Sequence, residues 1–185
     1  VTLTIVSGGQ TGADRGAFKA AIQLGLPYGG WAPRGLLAED GTIPDIYRAN
    51  MRESSSPNYG MRTRLNVQDS DATLILSFAA ELSGGSDFTA RTAKQQKKPC
   101  KHLVLPQGNG CVPDHLRATL HEWFRDRHIA VLNVAGPRES KEPGIEAAVC
   151  KTMTWLLEPL AVDEMKQLVG IAADLNDLMP EGPQT

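Results

Sequence analysis

The sequence is short of the residues that build disulfide frameworks and metal centres. Of its 185 residues only Cys100, Cys111 and Cys150 are cysteines. These cannot all pair with one another and show no CxxC spacing, which excludes a disulfide scaffold and a zinc ribbon. His102, His115, His121 and His128 make no HExxH or Cys/His ligand pattern, so no metal site is expected. Surface positions suit the histidines, and buried structural positions suit Cys100 and Cys150. Aromatic side chains amount to 5%, too few for the stacking platforms of a single-strand nucleic-acid module. An excess of one charge is also missing: 19 basic and 21 acidic residues leave −2, against a general duplex-DNA binder. No run approaches the roughly 20 apolar residues of a membrane helix. Val1-Thr2-Leu3-Thr4 offers no basic segment ahead of an apolar one, so secretion has no support and a reducing, cytoplasmic setting is expected.

What is present is an ordinary globular composition, 41% hydrophobic and 22% charged. A chain of this length buries about 70% of its unfolded surface and needs no staples. One ligand-binding domain over residues 1–159 is expected, followed by a helical extension and loose acidic tail over 160–185. Asp163, Glu164, Asp174, Asp177 and Glu181 against Lys166 give that end a net −4. The mildly basic remainder suits one small anionic ligand held by a few arginines.

Strand and helix patterns alternate. Thr2–Ser7 is a β-branched run closed by Gly8-Gly9, and Ala13, Ala17, Ala20, Ala21 and Leu24 follow with helical spacing up to Gly25. Ala72–Ser77 with a helix from about Asp87 to Lys98 forms a second unit. Lys101–Leu105 with a helix over 114–127 forms a third, Pro113 suiting its first turn. Ile129–Val134 precedes a helix from about Gly144 to Leu157. Tyr28–Trp31 adds a short strand. Such alternation predicts an α/β, Rossmann-like, doubly wound sheet, mostly parallel and flanked by helices. The polar, proline-dotted stretch over 32–58 exceeds an ordinary connection and is read as functional. After Pro159, Ala161, Met165, Leu168, Ala172, Leu175 and Met179 form an apolar helical stripe suited to the body or to a partner subunit.

Parallel sheets bind ligands beyond the carboxyl ends of their strands. Three loops there have suitable composition. The first supplies Ser7, Gly8, Gly9, Gln10, Thr11, Gly12 and Arg15, with glycines that admit either an oxyanion or close helix–sheet packing. The second supplies Gly84, Gly85 and Ser86, and the third Gly136, Arg138, Glu139, Ser140 and Lys141. Arginine grips phosphate bidentately, although Arg138 with Glu139 also reads as a solvated surface pair. Arg34, Arg62 and Arg64 extend the basic rim, with at most one of Arg62 and Arg64 pointing inward. Trp31 either flanks a ring-shaped ligand or belongs to the core. The weak candidates for acid–base work are Asp14, Glu39 and Asp40. Asp14 equally suits a helix dipole, and Glu39-Asp40-Gly41 a turn.

The blocks Ser7–Gly16, Gly29–Gly35 and Ala38–Pro44 resemble the molybdenum cofactor carrier family, a circularly permuted branch of the SLOG superfamily of Rossmann-like domains. Arg62-Thr63, Asn66-Val67, Ser70–Ile75, Gly84–Ser86, Lys98–Cys100 and Asn133–Ser140 continue the likeness in order, over about residues 3–157. The resemblance implies a carried ligand, molybdenum cofactor (molybdopterin) or molybdate, bound without turnover, with a nucleotide as the alternative. It also implies a homo-oligomer, with molybdoenzymes or cofactor-synthesis proteins as exchange partners. SLOG relatives that cleave ribosyl phosphates show two glycines, then Gly-Thr, and a Glu three residues on. Gly84–Thr89 departs from that, with Arg91 near the acid's place, which argues against a phosphoribohydrolase. The rival readings are hydrolysis of a nucleotide N-glycosidic bond and a nucleotide-derived ligand sensor.

Overall fold

The computed structural model describes residues 3–108 and 112–177, those beyond Ala161 as helix backbone only. The chain runs β1 (Thr4–Val6), α1 (Ala13–Gln23), β2 (Tyr28–Ala32), β3 (Leu37–Ala38), β4 (Gly41–Thr42), α2 (Asp45–Arg48), β5 (Met51–Glu53) and α3 (Tyr59–Gln68). It continues with β6 (Ala72–Ser77), α4 (Gly84–Gln95), β7 (Cys100–Val104), α5 (Asp114–Asp126), β8 (Val131–Ala135) and α6 (Ile145–Asp177). Six strands form one sheet in the order β5-β2-β1-β8-β6-β7. Every pairing in it is parallel, with Ile5 opposite Tyr28 and Leu132, and Leu74 opposite Val134 and Lys101. The Rossmann-like α/β architecture therefore stands.

Several elements differ in detail from the sequence patterns. The stretch over 32–58 holds the β3–β4 hairpin, α2 and the edge strand β5. A small second core, Phe18, Ala32, Ala38, Ile43 and Tyr47, holds it down, with the Phe18 ring 5.4 Å from Tyr28 and 5.6 Å from Tyr47. Helix α4 begins three residues before the expected Asp87. Pro113 is the N-cap of α5 rather than a first-turn residue. No break follows Pro159: α6 runs through it, at the cost of one N–H that would otherwise bond the carbonyl of Trp155. Cys111 and the tail from Met179 lie outside the described residues, as do the side chains of Met165, Leu168, Ala172 and Leu175. No helix among the described residues is long and apolar enough to cross a membrane.

The main core joins Ile5, Leu74, Leu76, Leu132 and Val134 of the central strands to Ala13, Ala17, Ala20 and Ala21 of α1 and to Val149, Met153 and Leu156 of α6. The small residues of α1 let α6 approach it closely. Polar latches fix the rest. Asn66 clamps α3 to β2, its Oδ1 accepting from the Trp31 N–H at 2.7 Å and its Nδ2 donating to the Trp31 carbonyl at 3.1 Å. Asp71 accepts from the N–H groups of Ala130 and Val131, at 2.9 and 2.8 Å, at the entry to β8.

The chain adds β2 and β5 outward from β1, crosses to β6 and β7, then returns to insert β8 between β1 and β6. The loops after β1, β8 and β6 thus meet at the switch point, where open parallel sheets leave a crevice.

Gly16 is where α1 meets α6. A Cβ there would stand 2.5 Å from the Glu146 carbonyl oxygen and 2.9 Å from Val149 Cβ. Alanine gains about 0.5–1 kcal/mol in helix propensity, but overpacking against backbone costs about 1–3 kcal/mol. Gly16→Ala is expected to destabilise the fold, read as a lower urea midpoint.

Candidate functional site

A cleft of about 710 Å³ opens at the switch point, between the β1–α1, β6–α4 and β8–α6 loops and the first turns of α3. Helix α3 forms its outer wall because Asn58 caps it, accepting from the Gly60 N–H at 2.7 Å, and Asn66 ties it to β2. Tyr59, Arg62, Thr63 and Arg64 consequently border the cleft. Arg62 reaches the inner end, its Nη1 3.1 Å from Asp14 Oδ2. Arg64 turns the other way, its Cζ 5.2 Å from the centre of the Phe88 ring. Both border the cleft, Arg62 turned inward and Arg64 exposed at its rim.

The β6–α4 loop presents the open helix start. Gly84, Gly85 and Ser86 line the cleft, and their N–H groups find no acceptor among the described residues. Ser83 makes no side-chain cap, and Asp87 in the first turn is drawn to Arg91 at 2.9 Å. An uncapped helix start carries partial positive charge and free donors, which favours an anion. Arg62, Arg64, Arg138 and Lys141 border the same space.

The β1–α1 loop differs from its expected role as an oxyanion cradle, because oxygens of this chain already take the N–H groups of its residues 10–13. Gln10 N donates to Asp14 Oδ2 at 3.1 Å, Thr11 N to Gln10 Oε1 at 3.0 Å, Gly12 N to Glu146 Oε2 at 3.4 Å and Ala13 N to the Pro137 carbonyl at 3.1 Å. Only Gln10 and Asp14 of this loop and its helix border the cleft. Ser7 is buried and donates to the Val134 carbonyl at 2.6 Å. Gly9 packs against Ile43 and Met51, and Gly12 against the Pro137 carbonyl. Gly8 has another use: a Cβ there would overlap the Arg62 guanidinium, so glycine lets Arg62 lie on the backbone.

Other sequence candidates also fall outside the cleft lining. Arg15 makes a two-pronged pair with Asp40, at 2.6 and 2.7 Å. Glu39 accepts from the Thr11 hydroxyl, and from Ser140 Oγ at 2.5 Å and Ser140 N at 3.3 Å. Glu139 caps α6, accepting from the N–H groups of Gly144 at 2.5 Å and Glu146 at 3.0 Å. Trp31 donates its indole N–H to Asp69 at 2.8 Å, with Arg52 over its ring. Arg34 is exposed on the loop after β2. Gly136 and Arg138 do border the cleft, and Arg138 stands over the Tyr59 ring at 4.9 Å.

The pattern missed Tyr59, Phe88, Ser77 and Glu142, which complete the lining. Glu142 caps the β6–α4 loop, accepting from Phe78 N at 2.5 Å and Ala79 N at 3.4 Å. Ser77 Oγ lies 2.7 Å from His102 Nε2, and His121 Nε2 lies 2.7 Å from the Leu156 carbonyl. These two histidines are therefore half-buried structural groups rather than surface ones. Cys100 is exposed and Cys150 half-buried, against the buried positions expected. Among the described residues no group of three or more His, Cys, Asp or Glu side chains could hold a metal ion.

Burial opposes ionisation of Glu39, but hydrogen bonds from Ser140 and Thr11, helped by the Arg138 charge, outweigh it and hold its carboxyl below the usual range. The Arg15 hydrogen bonds do the same for Asp40, overcoming burial. Burial acts against the Arg15 charge, and Asp40 more than restores it, raising that guanidinium above its ordinary value.

A family model, the circularly permutated YpsA SLOG family, matches residues 5–157. The chain is also similar to a solved structure, "Putative molybdenum carrier protein" from Syntrophus aciditrophicus SB. The two are 44% identical, with 85% of this chain and 93% of that one covered and a TM-score of 0.75. No curated protein matches.

The Arg15–Asp40 pair has one side chain 9% and the other 49% exposed. Removing the acid leaves a largely buried cation, a loss between the surface and buried limits, about 1–2 kcal/mol. Because the folded pKa of Asp40 is lowered, its contribution is full above the unfolded value of about 4 and fades as pH falls through the folded one. Denaturant midpoints of the parent and Asp40→Asn are expected to differ at neutral pH and to converge as the pH falls below the unfolded value.

Proposed function

The chain belongs to the circularly permuted YpsA SLOG family, and we propose that its cleft binds and carries a small ligand with a phosphate-like oxyanion, without converting it. The observation that carries this reading is the uncapped start of α4, whose Gly84, Gly85 and Ser86 line a cleft bordered by four basic side chains and have N–H groups with no acceptor among the described residues. The three carboxylates considered for acid–base work support carriage over turnover. Glu39 and Asp40 lie outside the cleft lining in structural pairs, and Asp14 is shared between the Gln10 N–H and Arg62.

Molybdenum cofactor is the first ligand we infer, supported by the name of the 44% identical relative and by the donor set. Its phosphate suits the α4 amides with Arg64 and Arg138, and its pterin suits the Tyr59 and Phe88 wall. Among the described residues no cysteine or histidine lines the cleft, so those residues fit the phosphate and ring of this cargo rather than its metal. Cofactor-synthesis proteins and molybdoenzymes are the exchange partners of such a cargo, in the cytoplasm. A nucleotide monophosphate is the second reading, since the same amides and arginines suit its phosphate.

Protein purified anaerobically from a cofactor-producing host and then denatured is expected to release near-stoichiometric oxidisable pterin fluorescence together with molybdenum. Metal alone would point to oxyanion storage, and a released nucleotide to the second reading. By titration, Arg138→Ala is expected to weaken binding by about 1.5–3 kcal/mol, whereas Arg34→Ala, outside the cleft, leaves it unchanged. Equal effects of the two substitutions would remove the cleft from the reading.

A further inference from the structure

The α4 amides serve one end of the cleft, and the opposite end holds a donor with nothing to bond. Gln10 is 4% exposed. Its Oε1 accepts from two backbone N–H groups, Thr11 at 3.0 Å and Glu39 at 2.7 Å. These two bonds fix which way the amide faces, since a flipped amide would set NH2 against two N–H donors. Its Nε2 is then a committed donor, and it is buried without a partner. A buried polar group left unpaired calls for a specific explanation.

An acceptor lies beside it. Asp14 is 3% exposed, and its Oδ2 takes both the Gln10 N–H and Arg62 Nη1, each at 3.1 Å. Its Oδ1 forms no hydrogen bond among the described residues. Gln10 and Asp14 both border the cleft. Arg62 Nε, on the same Asp14 oxygen's partner, is likewise buried and unpaired.

We infer that Gln10 and Asp14 read the lactam edge of a planar heterocycle, the Gln10 Nε2 donating to its carbonyl oxygen and the Asp14 carboxylate accepting from the adjacent ring N–H. This edge is common to guanine and to pterins, whereas adenine presents an amino group and a bare ring nitrogen, the reverse polarity. A fixed donor beside a fixed acceptor tells the two apart, because the wrong ligand leaves buried groups on both sides unpaired. The inference requires the Arg62 guanidinium, which rests on Gly8 and Asp14 with rotatable bonds behind it, to swing aside and admit the ring. The inference rests on the proposed binding of a phosphate-bearing ligand, with the phosphate at α4 and the ring end at Gln10.

The test is calorimetric titration of the full chain with guanosine monophosphate, adenosine monophosphate, ribose 5-phosphate and a pterin monophosphate. The parent protein is expected to bind guanosine monophosphate at least about tenfold more tightly than adenosine monophosphate. Gln10→Glu keeps an oxygen for the two backbone N–H groups and replaces the donor by an acceptor. It is expected to bring guanosine monophosphate down to the adenosine level, while ribose 5-phosphate, which engages only the α4 end, changes less than about twofold. A pterin monophosphate that binds more tightly than guanosine monophosphate assigns the edge to a pterin, and the reverse order assigns it to guanine. Equal binding of the guanine and adenine ligands by the parent overturns the inference, whether or not Gln10→Glu folds. So does a variant that binds guanosine monophosphate as the parent does. Failure of ribose 5-phosphate to bind at all counts against the α4 phosphate site instead.

Discussion

The allocation of backbone N–H groups at the carboxyl edge of the sheet decides where a ligand can sit. Of the helices that start there, α1, α4 and α6 follow the strands at the switch point, and each start leaves donors that must be satisfied. On the approach to α1 the N–H groups of Gln10, Thr11, Gly12 and Ala13 go to Asp14, Gln10, Glu146 and the Pro137 carbonyl. At α6 the donors go to Glu139. An external anion at either place would displace a carboxylate that is already covalently tethered and partly desolvated, a poor exchange. Helix α4 alone among these three begins on glycines with no internal acceptor, and so it is the start left for a ligand.

The same carboxylates tie distant loops into one wall. Glu39, on the β3–β4 hairpin, bonds Thr11 after β1 and Ser140 after β8, so residues far apart in the chain fix one another. Glycines make the approach possible. Gly136 packs on the Leu76 carbonyl and Ala13, and Gly8 gives its Cβ volume to Arg62. The first glycine cluster thus serves packing and an arginine seat, while the second serves an open helix start. Composition alone treats the two clusters as equivalent; their neighbours make them different.

Local patterns carried much of the fold. β6 reads as an apolar run because all six of its residues are buried, and the alanine face of α1 reads as a packing surface because α6 lies against it. Element edges were less legible, as with α4, where Gly84 and Gly85 look like loop yet form the first turn. The cleft wall was harder still. Helix α3 fully buries only Val67 among its apolar residues and is held by the Asn66 latch on β2 and the Arg62 bond to Asp14, both long-range. Arg15, Glu39 and Asp40 have the residue types of a site, and only the three-dimensional pairing reveals that they neutralise one another. Gln10 was legible as a member of the glycine loop, but its fixed amide and orphaned donor depend on Glu39, 29 residues away.

Turnover makes demands that these pairings oppose. A general base is most effective when its pKa lies near the working pH, and enzymes raise carboxylates by burial without compensation to reach that range. Here Glu39 and Asp40 are moved the other way by hydroxyl, amide and guanidinium partners, which makes them weaker bases and useless as acids at neutral pH. Asp14 is buried in the right place but holds a backbone N–H and Arg62 on one oxygen, an arrangement suited to fixing a donor–acceptor pattern for recognition. A cleft with an open helix start at one end and a fixed amide and carboxylate at the other is suited to holding a ligand by both ends.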